Sequence, residues 1–444
     1  MVDKGMNMKT LRGSKNNILC IAFVVMVWLL VFQNPLERIW GAFSAIDEAI
    51  ALVGALLGVY EILIVQKCRP TKEQLWVGIP LIAFVLTGLL GNLMYQYQPL
   101  KAVIIDLYTN LKFFFAIGTG YYFFQTIQWE SLKRVTLQSA RIIVVIVFSL
   151  FLIDRFVDLY PAQVRYGIKS VVLFYQHPTY LAGAVAFLLV LLTVFYEKQN
   201  LAFIAASLVL MAFTLRSKSI ACTVAYIALY FFFLVFKLRV KLWHIAGLGV
   251  ACVIIAWPQI YYYFIQMQGH SPRSIFLITS FIIMREYFPI GTGFGTFGSA
   301  EAAKNYSPVY LKYGFNDIYE VRNIYDVENS LRLIQENAWH AAKYQEDPQY
   351  LYRQSFLSDH FWPIIFGQTG ILGTVLYLTS LGVIIRRVFQ TDKFDIYAYV
   401  GLLFSCVYLL ICSTAEPAFH NAVAIPLAVV MGLVFRQQEM KKCC

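Results

Sequence analysis

The stretch SPRSIFLITSFIIMREYFPIGTGFGTFG (271–298) decides how the chain is read. It begins as a helical apolar run, with Ile275, Phe276, Ile278, Phe281 and Ile282, and it ends at Tyr287-Phe288-Pro289. Gly291, Gly293, Gly295 and Gly298 follow, without the preceding strand and following helix of a dinucleotide site. They predict a tight backbone path, with a close approach to substrate as the functional reading. The run itself reads as a helix along a membrane surface or in the mouth of a bundle. It heads a polar insert, 266–360, of ninety-five residues and nine tyrosines that interrupts an otherwise apolar chain and closes on Asp359-His360.

Outside the insert the composition sets the class. Of 444 residues, 59% are apolar and 14% charged, against roughly 45–50% and about 25% in soluble domains. Long unbroken apolar runs, rather than alternation, predict an all-α polytopic membrane protein, because helices satisfy their own backbone polar groups in lipid. At roughly 20 residues per crossing, the candidate spans are 17–33, 43–65, 75–95, 102–124, 138–156, 171–195, 200–215, 219–236, 242–263, 361–385, 396–414 and 419–435, about twelve helices. The organisation expected is a bundle over 1–265, an extracytoplasmic loop over 266–360, and three more helices with a tail over 361–444. No cleavage site of the A-x-A kind follows the first run, which reads as a retained anchor.

Lysines and arginines gather before the first run, at Lys67, Arg69 and Lys72, at Lys133 and Arg134, at Lys237, Arg239 and Lys241, at Arg386, Arg387 and Lys393, and after the last run. The bias of cytoplasmic loops towards Lys and Arg puts all of these, and both termini, on the cytoplasmic side, with the insert outside. The net charge of +11 is accounted for by that bias, and no fold cue supports a nucleic-acid partner. Eight cysteines, none in the insert, have neither disulfide-scaffold nor zinc spacing. No internal repeat is visible, which disfavours a transporter built from inverted repeats.

Several basic residues break the bias. Arg155, Arg165 and Lys169 lie between the fifth and sixth runs, Arg216 and Lys218 in the turn TLRSKS (214–219), and Arg273 and Arg285 early in the insert. Local ion pairs are one account, Arg155 with Asp154 or Asp158 for example. The other is an anion site at the outer boundary, where a guanidinium fork suits phosphate oxygens. Asp47, Glu48, Asp106 and Lys112 fall inside spans, as ion pairs between helices or as functional groups. His177, in LFYQHPTYLAG (173–183), reads as a structural hydrogen-bond partner or a general base. An amphipathic helix is expected over 326–345. Asp359 and His360 stand where a helix cap is expected or where a base would take a proton from a sugar hydroxyl.

RYGIKSVVLFYQHPTYLAG (165–183), Arg216-Ser-Lys-Ser-Ile220, SPRSIF followed by FPIGTGFGTF, and the junction SFLSDHFWPIIFGQTGILG (355–373) fall in this order. In this the chain resembles the superfamily of O-antigen polymerases and O-antigen ligases, bacterial inner-membrane enzymes with a GT-C-like helical scaffold and a large periplasmic loop. Ile220 stands where the family's R-x3-L motif has leucine, and Asp359 stands where ligases carry the histidine of H-x10-G, with His360 one place late; this departure favours a polymerase. The resemblance implies glycan transfer between undecaprenyl-diphosphate-linked oligosaccharides without a metal or other cofactor. Arg216 and Arg273, supported by Arg165, Lys218 and Arg285, would hold the diphosphate, and Asp359 or His360 would activate the acceptor. A chain-length regulator is the implied protein partner. The competing readings are a ligase that passes the glycan to lipid A-core, a lipid or glycan transporter, and a structural subunit of an assembly complex.

Overall fold

A computed structural model describes residues 3–165, 167–237, 272–305, 307–313 and 360–443, with isolated positions at 247, 254, 257 and 261. The expected span at 242–263, the helix at 326–345 and Asp359 lie outside the described residues. The remainder is helical apart from one two-residue hairpin, β1 (Val164–Arg165) and β2 (Ile168–Lys169), antiparallel with Val164 opposite Lys169.

In chain order the helices are α1 (Asp3–Val31), α2 (Gln33–Ile39), α3 (Ile46–Tyr60), α4 (Lys72–Tyr95), α5 (Leu100–Gly118), α6 (Trp129–Val157), α7 (Pro178–Val194), α8 (Leu201–Phe213) and α9 (Ser217–Leu229). After the first gap come α10 (Pro272–Glu286), the short α11 (Ala300–Lys304) and α12 (Pro308–Lys312). After the second come α13 (Phe361–Gln390), α14 (Ile396–Ser413) and α15 (Ala424–Cys443). Every expected span outside 242–263 coincides with one of these helices. By length and composition, however, five stretches are long and apolar enough to cross a membrane: Gly41–Val65, Lys72–Tyr95, Ser217–Val235, Phe361–Lys393 and Ile396–Ser413. A sixth is counted if Asn16–Val31 and Gln33–Ile39, bent by 73°, form one span. The count of twelve is therefore not reached among the described residues. Some helices are short because a polar turn claims residues assigned to a run: α7 starts at Pro178 rather than 171, and α15 at Ala424 rather than 419.

The protein is an all-α chain with the surface of a membrane protein. Leu56, Val59, Trp76, Ile79, Ile82, Leu86 and Leu93 of α3 and α4 are all largely exposed, and a continuous apolar face of that size is matched by lipid rather than water. The opposite case is α7, buried from Leu181 to Val194 on every side, as expected for a helix that is apolar all round. Where α5 runs into a wide turn beside α15, Gly120 and Gly432 let the backbones touch: a Cβ on either would lie 1.9 Å from a carbonyl oxygen of the other helix.

Three of the four charges predicted inside spans, Asp47, Glu48 and Lys112, are paired across helices. Lys112 of α5 donates to Asp47 of α3 at 2.8 Å and lies 3.4 Å from Glu48, while Gln33 donates to Asp47 at 2.7 Å. Removing the cation strands a buried carboxylate, so Lys112→Met is expected to destabilise the protein by about 3–5 kcal/mol. Adding Asp47→Asn should recover most of that loss, and thermal unfolding of the purified variants in detergent reads both.

Helix α13 carries the feature that shapes the packing around it. Gly370, at φ 59° and ψ −162°, breaks it into two arms. The arms fold back on one another, since the rings of Phe361 and Tyr377 lie only 5.5 Å apart; a straight helix would separate them by roughly 24 Å. The break frees backbone groups, and the glycine-rich turn takes them up. Thr292 N donates to Gly367 O at 3.1 Å, Gly293 N to Gln368 O at 2.8 Å, and Leu372 N to Pro289 O at 3.1 Å. Residues 291–298 are accordingly buried. Phe294 packs edge-on against Phe84 at 5.5 Å, and Asn92 clasps its backbone, accepting from Phe294 N at 2.8 Å and donating to its carbonyl at 2.9 Å. The glycines are a splice for a broken helix rather than a surface for substrate. The 272–313 part of the expected loop packs into the bundle, as the bundle-mouth reading of its apolar run has it, and forms a small core of its own with Ile283, Phe297 and Tyr310.

Candidate functional site

The candidate site is built where helices begin. Pro178 sets the start of α7, its missing N–H costing nothing in a first turn, and His177 occupies the capping position before it. The imidazole Nε2 lies 2.6 Å from Arg216 Nη2, and Nδ1 lies 3.3 Å from Thr179 N. The backbone N–H of Thr179 donates to Nδ1, which caps the helix, while Nε2 faces the guanidinium and holds Arg216 at the helix start. Arg216 stands in extended conformation just before α9, one turn behind Ile220, whose N–H bonds to its carbonyl at 3.0 Å.

Two residues on, Lys218 forms a close ion pair with Glu416, both side chains mostly buried. Glu416 belongs to the turn STAEPAFHNAV (413–423) between α14 and α15, and this turn joins the elements of the site. Ser413 accepts from Trp362 Nε1 at 3.0 Å. His420 stands edge-on to Phe361 at 5.0 Å, and its Nε2 lies 3.0 Å from Asn110 Oδ1. Asn110 in turn donates to Asp106 at 3.1 Å, and Asp106 accepts from Gly295 N at 2.9 Å. A buried polar chain therefore runs from the glycine splice through α5 to the turn.

On the other side of that turn stands His360, in extended conformation immediately before α13 and 4% exposed. Burial first, and then the positive charge of Arg273 in the first turn of α10, push its pKa down to about 4. Helix α10 runs alongside the first arm of α13, with Phe281 stacked on Phe366 at 5.4 Å. Arg273 and His360 form a second arginine–histidine neighbourhood. Asn110 lies ten residues into α5, so Phe361 and His420 sit roughly 15 Å below the turn that joins α4 to α5.

The low value for His360 fixes a pH dependence. In the unfolded chain the imidazole takes up a proton near 6.5, while in the folded protein it does so only near 4. Between those values the unfolded state binds more protons, so stability falls as the pH is lowered from 6.5 towards 4. The loss expected from this residue is at most about 3 kcal/mol. Unfolding curves across that range should lose the corresponding slope in His360→Asn.

Of the predicted basic ligands, Arg216 and Arg273 are the two found beside histidines. Lys218 is neutralised by Glu416. Arg285 is exposed in the last turn of α10, roughly 18 Å along the helix from Arg273. Arg165 lies on the β1–β2 hairpin and donates to Gln163 at 3.2 Å. The local pairing expected for Arg155 is also revised. Lys169 takes the carboxylates of Asp154 and Asp158, whereas Arg155 donates to the Lys169 carbonyl at 2.7 Å and lies over the rings of Phe151 and Phe213 at 5.1 and 5.2 Å. Glu416 and His420 were missed by sequence reasoning. Their signal was a Glu, a Pro and a His in a short break between two apolar runs.

No family model matches the chain, and no curated protein matches it.

Proposed function

We propose that this protein is a membrane glycosyltransferase that polymerises undecaprenyl-diphosphate-linked oligosaccharide units at the outer face of a bacterial inner membrane. About twelve spans, cytoplasmic termini and a periplasmic 266–360 region complete the proposal. The single observation that carries it is the placement of Arg216 against His177, and of Arg273 close enough to His360 to act on it electrostatically, at helix starts whose neighbours Lys218 and Trp362 both contact the 413–423 turn. The order of motifs in the sequence adds to it.

In the proposed reaction the acceptor hydroxyl oxygen attacks the anomeric carbon of the donor. The bond from that carbon to the diphosphate oxygen breaks, and the lipid diphosphate leaves with the electron pair, stabilised by Arg216 and Arg273. The configuration inverts. The hydroxyl proton passes to Asp359 or His360. An imidazole held down to about 4 is about as weak a base as an ordinary aspartate carboxylate. A diphosphate on Arg273 would offset the charge that depresses His360 and raise its proton affinity. Lys218 positions the Glu416 turn rather than binding the anion.

The test is incubation of purified protein with lipid-linked repeat units alone. A ladder of products supports polymerisation. Transfer only when lipid A-core is added supports the ligase reading. A second class is favoured by one observation, the buried Asp47–Lys112 and Asp106–Asn110–His420 groups, which suit a lipid or glycan transporter. Movement of labelled lipid across reconstituted vesicles without any ladder would select it and remove the polymerase.

A further inference from the structure

The turn joining α4 to α5 meets the end of α10 in a cluster of tyrosines that the proposed reaction does not use. Tyr95 and Tyr97 stack with centroids 5.7 Å apart and planes 16° from parallel. The Tyr287 ring stands edge-on to them at 4.8 and 6.4 Å, and its hydroxyl lies 3.0 Å from that of Tyr97. Lys312 Nζ lies 4.4 Å from the Tyr287 ring centre and 5.3 Å from that of Tyr313, and pairs with Glu286 at 3.0 Å. Tyr313 donates to Glu286 at 2.7 Å. Tyr95, Tyr97 and Tyr313 are half-buried, while Glu286 and Lys312 are exposed. In the same turn, Gln98 has both polar atoms of its amide closed to solvent and without a partner among the described residues.

These features define a ligand class. Glu286 and Lys312 cancel, so the cluster offers no net charge to a phosphate or carboxylate. Flat rings edged by polar groups suit a molecule with C–H faces and hydroxyl rims. The Gln98 amide needs one partner that donates and one that accepts, and a hydroxyl does both. The position is also specific: Arg273 and Glu286 are at opposite ends of α10, roughly 20 Å apart.

We infer that the half-buried Tyr95, Tyr97 and Tyr313, braced from below by the buried Tyr287, form with Glu286, Lys312 and Gln98 a platform for the neutral oligosaccharide of a lipid-linked glycan, several sugars from its diphosphate. The location of the diphosphate rests on the proposed function; the binding of sugar at the platform does not require catalysis.

The experiment uses the full chain in nanodiscs on an immobilised panel of neutral and acidic oligosaccharides. Saturable binding of neutral members is expected. Tyr97→Ala should weaken it about tenfold or more, Tyr97→Trp should retain it, and Arg216→Ala should leave it unchanged. If Tyr97→Ala does not fold, Tyr97→Phe with Lys312→Ala decides: the pair keeps the stack and removes its hydroxyl and ammonium, and binding must again fall. Absence of binding to any neutral oligosaccharide, or binding that these variants leave unchanged, overturns the platform. Neutral-sugar binding by a preparation that makes no ladder would keep the platform and discard the polymerase.

Discussion

Replacing Gly370 by alanine is expected to prevent assembly of the bundle around α13, with little folded, monodisperse protein recovered from detergent. The residue sits at φ 59° and ψ −162°, a backbone conformation essentially reserved for glycine, so a side chain there is strained whatever the space. Space is also missing. A Cβ would lie 2.5 Å from both Gly291 N and Pro289 O, the backbone of the segment that satisfies the broken helix. Moving that segment would unmake the bonds from Thr292, Gly293 and Leu372 and leave buried polar groups without partners. Strain and lost bonds together exceed about 4 kcal/mol. The control lies in the same helix. Gly382 has nothing within 4 Å of where its Cβ would be, so Gly382→Ala should be neutral or stabilising by about 0.5–1 kcal/mol. Thermal unfolding of both variants separates the two outcomes. Equal behaviour would mean that the fold-back at Gly370 does not hold the bundle together.

How far the sequence could be read follows from what each signal records. Apolar runs record where helices lie, and the helices are found there. They do not record how a helix is bent, because the Gly370 break is completed by partners that are distant in sequence. The run from 361 therefore read as one span, and the glycines at 291–298 read as a tight backbone path whose partner was not legible. Position in the turn 214–219 marked both Arg216 and Lys218 as anion ligands, Lys218 in support. They differ because Glu416, some two hundred residues away, reaches one, while His177 reaches the other. Arg285 and Arg273 likewise share an element but stand at its opposite ends, a distinction that follows once the helix is recognised. His177-Pro178 was legible as a helix start, since proline and a capping side chain act locally.

Arg216→Ala is expected to lower polymer formation by on the order of 10²–10³-fold while leaving the protein folded. The size follows from the role: a guanidinium at a recessed helix start stabilises charge that develops as the diphosphate departs, in a setting with little water to screen it. Folding should survive, because Arg216 is half-buried at a helix start rather than part of the packed core. Arg216→Lys keeps the charge but not the fork that can meet two phosphate oxygens while contacting His177, so it should recover only part of the activity. Lys218 supplies the contrast. Lys218→Ala leaves Glu416 without its cation in a mostly buried setting and should reduce stability. Reversing the pair, Lys218→Glu with Glu416→Lys, should restore stability, because pairing is what that lysine contributes. Ladder length and initial rate from lipid-linked repeat units, measured beside thermal unfolding, resolve the two cases. Wild-type rates in a well-folded Arg216→Ala protein would remove the diphosphate-binding role assigned to this arginine, and with it the glycosyl-transfer mechanism proposed for the chain.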